Sequence, residues 1–152
     1  MPRYSGRVTV NVNWDYTNFQ RRWKDILEDP RIKRSVGRLF AEMCEPYIPE
    51  SSGALINSVK VTKNYVSWNT PYAHYQYTGM VYGPNFPITD GDGNIVGWYS
   101  RRGQKKKPTG ARLEYKKPLA TDHWDKAMLA RDGHEFKIRV NRLIREELKR
   151  RK

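Results

Sequence analysis

The sequence IPESSGALINSVKVTKNYVSWNTPYAHYQYTG, residues 48–79, marks the point where a helical pattern stops and an extended pattern begins. Pro46 and Pro49 cannot continue a helix, and each favours extended geometry in the residue before it. Gly53 can take a positive φ, and residues 54–56 are typical of one short helical turn. We therefore expect the chain to turn here and to enter a sheet.

Two runs of β-forming residues follow within this stretch. Valine alternates with polar residues over residues 59–62, and residues 65–68 contain Tyr, Val and Trp. Lys63-Asn64 separates the two runs, which predicts a β-hairpin. Pro71 ends the second run, and residues 72–79 then hold three tyrosines and one histidine before the chain reaches a glycine.

This succession of motifs resembles the small minor capsid or neck proteins of long-tailed bacteriophages, which are grouped with tail-completion and head–tail connector proteins. In that family a helix leads to a proline-containing segment with Gly-Ala-Leu, a strand pair and a Tyr-Ala-x-Tyr-Gln/Glu-x-x-Gly turn. A variable loop, a short helix with Trp and a C-terminal helix follow. The matching positions, within about residues 45 to 150, are Pro49, Ser52-Gly53-Ala54-Leu55, Tyr72-Ala73-His74-Tyr75-Gln76-Tyr77-Thr78-Gly79 and His123-Trp124-Asp125-Lys126-Ala127. The loop from Gly79 to Pro118 is long and basic, so its role does not carry over from the family.

The resemblance implies a structural protein of the virion: a subunit of a sixfold ring that joins the DNA-filled head to the tail at the head–tail junction. The implied partners are further copies of the chain, neighbouring head-closure or adaptor proteins, and tail-terminator or tail-tube proteins. Double-stranded DNA in the channel would be bound without sequence preference. Assembly would take place in the cytoplasm of the bacterial host. The resemblance assigns the structural turns of the family motif to Ser52, Gly53, Ala54, Leu55 and Gly79.

Aromatic side chains are the expected contacts between subunits, because Tyr and Trp give a large contact area at low entropic cost. The candidates are Tyr72, Tyr75, Tyr77 and Trp98.

Charge is the strongest feature of the composition: 29 Lys and Arg against 16 Asp and Glu give a net charge of +13 and a pI near 10.0. Such a balance favours an anionic partner, above all nucleic acid, because neutralising phosphates releases counterions. The 152 residues fit one domain, and a single cysteine excludes a disulfide framework. There is no run of about 18 apolar residues, so we expect a soluble protein without a membrane partner.

The N-terminal region predicts one strand and two helices. Residues 7–14 alternate with period two, which is typical of a strand buried on one face. A helix is expected over residues 16–27, capped by Asp15 or Thr17, and a second begins with Asp29 as cap and Pro30 at the first position. The second helix carries an apolar stripe: Ile32, Val36, Leu39, Phe40, Met43 and Tyr47.

Residues 80–118 predict an extended loop or hairpin inserted into the single domain 1–152. Asp-Gly-Asp-Gly-Asn at residues 90–94 is typical of a β-turn, since the twelfth position of a calcium loop would be Arg101 where glutamate is needed. Five cations then follow in seven residues: Arg101, Arg102, Lys105, Lys106 and Lys107. They indicate either a solvated loop tip or a loop that contacts phosphates or an acidic neighbour.

The C-terminal region predicts a short helix over residues 119–130, capped by Thr121 or Asp122. Asp132-Gly133 is expected to break it, and a last amphipathic helix is expected over residues 134–151. The resulting fold is α+β: an antiparallel sheet with N-terminal helices and a C-terminal helix packed on it.

We expect no enzyme, cofactor or metal site. His134-Glu135 begins like a zinc-protease helix, but Ile138 stands where the second histidine is needed. The sequence also lacks a phosphate-binding loop and a nucleophile elbow. Two other functions stay open: a free-standing basic protein that binds nucleic acid, with aromatics stacking on bases, and a metal-independent hydrolase or nuclease.

Overall fold

Several helices and strands of the chain begin or end next to a proline or a glycine. The structure, a computed structural model, describes residues 7–11, 21–49 and 53–151. Its strands are β1 (Arg7–Asn11), β2 (Val59–Val61), β3 (Tyr65–Asn69), β4 (Met80–Gly83), β5 (Phe86–Thr89), β6 (Ile95–Tyr99) and β7 (Lys107–Arg112). Its helices are α1 (Arg21–Glu28), α2 (Pro30–Cys44), α3 (Ala54–Asn57), α4 (Ala73–Thr78) and α5 (Trp124–Arg150). The predicted α+β class is confirmed.

Helix α2 begins as its sequence predicts. The Asp29 carboxylate accepts a hydrogen bond from the Arg31 amide at 2.8 Å, and Pro30 occupies the first turn, where its missing N–H costs nothing. Among the predicted stripe, Ile32, Val36, Phe40 and Tyr47 are buried, and Leu39 and Met43 are half-buried. A short 3-10 turn, Glu45–Tyr47, follows the helix.

The central β-hairpin is confirmed, and it forms most of the main sheet. Strand β3 lies between β1 and β2 and is antiparallel to both. The amide of Thr62 donates to the carbonyl of Tyr65 at 2.9 Å and closes the turn. Gly53 has a φ of +76°, so the predicted positive φ is confirmed before α3. Ser52, residues 12–14 of the predicted strand and the caps Asp15 and Thr17 lie outside the described residues.

An aromatic cluster joins the sheet to the C-terminal helix. The Trp68 ring on β3 meets the Trp124 ring on α5 edge-on at 5.6 Å between centroids, and Tyr77 meets Trp124 edge-on at 5.0 Å. Further along α5, Phe136 packs edge-on against Phe40 of α2 at 5.7 Å. Such edge-on pairs contribute stability in addition to that gained from the apolar area they bury. Beyond Phe136 a second cluster joins α1, α2 and α5, and it contains Ile26, Leu27, Ile32, Val36 and Ile144.

The predicted break at Asp132-Gly133 is wrong, because α5 continues through it as one helix of 27 residues. Tyr47 donates to the Asp132 carboxylate at 2.5 Å, and the packing of Phe136 holds the following turn. These contacts outweigh the cost of a helical glycine, about 1 kcal/mol. The predicted caps are also wrong: the N-cap is His123, with a φ of +46°.

The continuity of α5 can be tested by replacing Gly133 with alanine. Nothing lies within 4 Å of a Cβ built at Gly133, and this glycine lacks a positive φ. Gly133→Ala should therefore raise the free energy of unfolding by about 0.5–1 kcal/mol, measured by urea denaturation.

The control is Gly79→Ala, at a glycine with a φ of +70° where the added Cβ would lie 2.8 Å from the Asp122 Cβ. This change should destabilise the protein by more than about 1 kcal/mol. Destabilisation by Gly133→Ala would contradict a continuous helix and would favour the helix break predicted at Asp132-Gly133.

Candidate assembly and nucleic-acid interface

Residues 80–112 form a two-stranded β-arm that projects between α4 and α5. Strands β4 and β7 pair antiparallel in its proximal half, and β5 and β6 pair antiparallel in its distal half. Each half is a two-stranded sheet. The insertion at residues 80–118 is therefore the extended hairpin, followed by a strap, residues 113–123, that leads to α5.

The arm leaves and re-enters the body at Gly79. The Gly79 amide donates to the Tyr75 carbonyl at 3.0 Å and ends α4 in the left-handed conformation. The Leu113 amide then donates to the Gly79 carbonyl at 2.9 Å, where the returning strand meets the departing one. Because Asp122 approaches within 2.8 Å of the position of a Cβ, only glycine fits here without movement.

Asp122 holds the strap in place beside Gly79. Its carboxylate accepts from the guanidinium of Arg112 and lies 3.0 Å from Nδ1 of His123. The His123 amide donates to the Tyr77 carbonyl at 2.9 Å, so the strained residue at the start of α5 is tied to α4. Tyr115 adds a bond from its hydroxyl to the Gln76 carbonyl at 2.8 Å. This network fixes the direction in which the arm leaves.

Tyr77 belongs to this anchor. Its hydroxyl donates to the Asp125 carboxylate at 2.8 Å, and Asp125 is only 9% exposed. Burial, and then the bond to Asp125, raise the pKa of the Tyr77 phenol well above its ordinary value. Cys44 lies in the same core with 0% exposure, and burial raises the pKa of its thiol, so it packs as a small apolar side chain.

The other two predicted tyrosines lie at the base of the arm. Tyr75 is half-buried, and its ring packs against Tyr82 of β4 at 4.8 Å. Tyr72 is 36% exposed at the start of α4. Tyr75 therefore packs toward the arm and Tyr77 toward α5, and Trp98 lies apart from them on β6.

Asn85 connects the two halves of the arm. Its amide nitrogen donates to the Tyr82 carbonyl at 2.8 Å, and its side-chain oxygen accepts from Lys106 Nζ at 2.9 Å. The Ser100 hydroxyl donates to the same oxygen at 3.2 Å. Asn85 therefore compensates for the interruption of the ladder between β4 and β5.

The distal half of the arm is unusually apolar on its surface. Among the described residues nine large hydrophobic side chains are exposed, and five of them lie here: Ile88, Ile95, Val96, Trp98 and Tyr99. Trp98 is 62% exposed and Val96 is 64% exposed. By strand alternation Val96 and Trp98 lie on one face of the β5–β6 ladder, and Ile88, Ile95 and Tyr99 lie on the other. Scattered exposed apolar residues are ordinary, but a group of them on two paired strands is typical of a surface that binds a partner.

The tip of the arm is an acidic turn, residues 90–94. Asp90 accepts from the amides of Asp92 and Asn94 at 2.9 Å each, and Gly93 has a φ of +84°. These bonds from N–H groups, first of all that of Asn94, lower the pKa of the Asp90 carboxyl. The predicted β-turn is confirmed. The described residues contain no group of three or more His, Cys, Asp or Glu side chains that could hold a metal ion.

The basic run, residues 101–107, lies at the junction of the two halves of the arm: residues 101–106 connect β6 to β7, Lys107 begins β7, and all five cations are exposed. A turn closed by the Gln104 amide on the Arg101 carbonyl at 3.2 Å, with Gly103 at a φ of +79°, sets its shape. The Arg101 guanidinium stacks over the Phe86 ring at 4.3 Å. Of the other cations of the run, Lys106 donates to Asn85, and Arg102, Lys105 and Lys107 are exposed with no ion pair or side-chain hydrogen bond to the described residues.

The apolar surface of the arm was only partly predictable. Trp98 is an interface candidate on residue type alone, and its exposure could not be predicted from the sequence. Residues 95–99 are a continuous run of apolar residues, which is typical of a strand buried on both faces, and no sequence signal shows that the covering layers are missing.

In the described residues, no helix is both long and apolar enough to cross a bilayer. Comparison of the chain with protein-family models, with curated proteins and with solved structures gives no match.

The anchor at Tyr77 can be tested with Tyr77→Phe. This change removes the hydroxyl that satisfies the buried Asp125 carboxylate, so the free energy of unfolding should fall by about 1–3 kcal/mol at neutral pH. Denaturant titration measures it. Tyr72→Phe, at an exposed hydroxyl, should change stability by less than about 0.5 kcal/mol.

Tyr77→Phe should also change how the free energy of unfolding depends on pH above neutrality. The pKa of Tyr77 is higher in the native protein than in the unfolded chain, where it is about 10. The Tyr77 phenol therefore contributes to the free energy of unfolding below the unfolded pKa, and this contribution is lost as pH rises through the native pKa. Tyr77→Phe should therefore lose less stability than the parent protein between neutral pH and this range. Equal alkaline losses in both proteins would contradict the buried Tyr77–Asp125 bond.

Proposed function

We propose that the protein is a structural subunit of the neck of a long-tailed bacteriophage, in a ring that joins the DNA-filled head to the tail. The observation that carries this proposal is the β-arm, which presents an uncovered apolar surface beside a basic run. An uncovered apolar surface needs a protein neighbour, and a basic run needs an anionic one. A subunit that lines a DNA channel meets both requirements.

The order of the elements supports the proposal. Helix α2, the glycine turn at Gly53, the β2–β3 hairpin and α4 follow one another as in the resemblance drawn from the sequence. Gly79 then ends the Tyr-Ala-x-Tyr-Gln motif, and its position against Asp122 gives that glycine a physical role. The chain departs from the family pattern in α5, where the Trp-containing helix and the C-terminal helix are one.

The proposed mechanism is assembly, and it requires no catalytic step. Copies of the chain would form a sixfold ring between head-closure or adaptor proteins on one side and tail-terminator or tail-tube proteins on the other. Tyr72, Tyr75 and Trp98 are retained as interface candidates, because their rings present surface at the arm and its root. Tyr77 is omitted, because its ring and hydroxyl are engaged inside the subunit. The site of action would be the head–tail junction of the virion, after assembly in the bacterial cytoplasm.

The basic run would meet DNA in the channel or an acidic neighbour. Arg102, Lys105 and Lys107 are exposed and carry no ion pair among the described residues, so their charges are available to phosphates. Binding of this kind is independent of base sequence, because long lysine side chains meet the phosphate backbone and no base edge.

The same basic run favours a second candidate, a free-standing protein that binds nucleic acid in the cytoplasm. Under that alternative the arm aromatics would stack on bases. The two functions differ in where the protein is found.

Electron imaging of purified virions that carry a tagged copy of the chain tests the location. We expect the tag in a ring at the head–tail junction, because the proposed role places the protein there in every particle. Tagged major capsid protein is the control for labelling. Absence from particles, with the protein free in the lysate, would contradict the neck role and favour the second candidate. So would a chain that stays monomeric at high concentration with portal and tail partners present.

Neutralising the basic run tests DNA binding. In a variant with all five cations of residues 101–107 changed to Gln, the slope of log K against log salt for duplex DNA should shrink by about 0.9 for each phosphate that is no longer neutralised. The matched control changes five exposed cations of α5 to Gln: Lys126, Arg131, Lys137, Lys149 and Arg150. An equal decrease of the slope in both variants would show that the basic run has no special part in DNA binding.

A further inference from the structure

The distal half of the β-arm is incomplete as a folded unit. Two-stranded ladders are marginally stable in water, and a sheet needs three or more strands or a covering layer to be stable on its own. In the described part of the chain, β5 and β6 pair only with each other. Val96 and Trp98, both more than 60% exposed, show that this half has no cover.

The two edges of this ladder differ in their capacity to accept another strand. Strand β5 contains Pro87, which has no backbone donor, and proline in a sheet belongs at an edge that is left unpaired. Strand β6, Ile95–Tyr99, has neither a proline nor a charged residue, the two devices that usually protect an edge. The edge of β6 is therefore the one open to pairing.

The charges along the arm select the direction of that pairing. Asp90 and Asp92 lie at the tip, and Arg101 and Arg102 lie at the other end of β6. Two arms side by side in the same direction would place acidic tips together and basic runs together, which is unfavourable. Two arms in opposite directions place each acidic tip beside the basic run of the other.

We propose that the β-arm pairs with the arm of a second copy of this chain, β6 against β6, antiparallel about a two-fold axis at Gly97. Residues equally distant from Gly97 then face each other, which brings Asp92 of one copy opposite Arg102 of the other. Val96 meets Trp98 of the second copy on one face, a favourable pair of a β-branched and an aromatic side chain. The product is a four-stranded sheet.

This pairing goes beyond the neck role. A ring is built from two different surfaces of each subunit that meet around a rotation axis, whereas the arm pair uses one surface twice. In the arm pair Trp98 and Arg102 face the second copy, so the ring contacts would lie at Tyr72, Tyr75 and elsewhere on the body, and Lys105 and Lys107 would be left for phosphates. The arm pair would join two copies across a two-fold axis. Loss of the arm pair in solution would leave the location in the virion untouched, so the two proposals fail separately.

Disulfide crosslinking of the full chain tests the geometry. Gly97 lacks a positive φ, and a Cβ there meets only the Ile88 side chain at 3.6 Å, so Gly97→Cys is compatible with the fold. Position 97 would lie on the two-fold axis, so in Gly97→Cys the cysteines of the two copies should form a disulfide with each other under mild oxidation. Cys44 is buried with 0% exposure and should give no background.

Gly91→Cys is the matched control, since Gly91 lies in the open tip with nothing within 4 Å. In the antiparallel pair the two tips lie at opposite ends, so this variant should stay monomeric on a non-reducing gel. Crosslinking of Gly91→Cys instead of Gly97→Cys would overturn the proposal in favour of arms side by side. Absence of crosslinks in both variants would overturn it altogether.

Charge reversal tests the partners across the axis. Asp92→Arg and Arg102→Asp should each weaken dimerisation by on the order of tenfold or more, measured by sedimentation, because like charges then face each other. Neither side chain takes part in the bonds of Asp90 or the stacking of Arg101, and an unchanged circular dichroism spectrum checks the fold. The double reversal should restore dimerisation. Failure of the double variant to recover, with the fold intact, would overturn the assigned register.

Discussion

The close approach of Gly79 to Asp122 is the constraint on which the rest of the structure depends. Only a residue without a Cβ, at a φ of +70°, allows α4 to end, the arm to depart and the strap to return at one point. Asp122 then binds Arg112 at the end of the arm and His123 at the start of α5. One carboxylate therefore links the direction of the arm to the position of the longest helix.

The body and the arm are stabilised by different kinds of interaction. In the body, Trp68, Trp124 and Tyr77 pack edge-on, and the polar atoms of Tyr77 and Asp125 satisfy each other in the same core. The distal arm has turns and ladder bonds, and its apolar side chains face water. This contrast between a well-packed body and an uncovered apolar arm is the basis of the proposed association with other molecules, and the charges along the arm restrict which association would be favourable.

Much of the fold was predictable wherever local chemistry is decisive. Asp29-Pro30 starts α2, Gly53 turns the chain, and Lys63-Asn64 closes the β2–β3 hairpin, because capping and turn preferences act within a few residues. The break expected at Asp132-Gly133 failed for the opposite reason. Its weak local signal is overridden by a bond from Tyr47, which lies 85 positions earlier in the chain.

The sequence by itself determined the class of the fold, the central β2–β3 hairpin and the presence of a concentrated positive charge, since periodicity, turn residues and charge are properties of short segments. Only the tertiary structure decided where these features lie relative to one another. It placed Tyr77 inside the subunit and left Trp98 exposed, although both are aromatic, and it placed the basic run at the junction of the two halves of the arm. The physical reason is that burial and direction depend on which distant segments pack together, and residue type alone carries no such information.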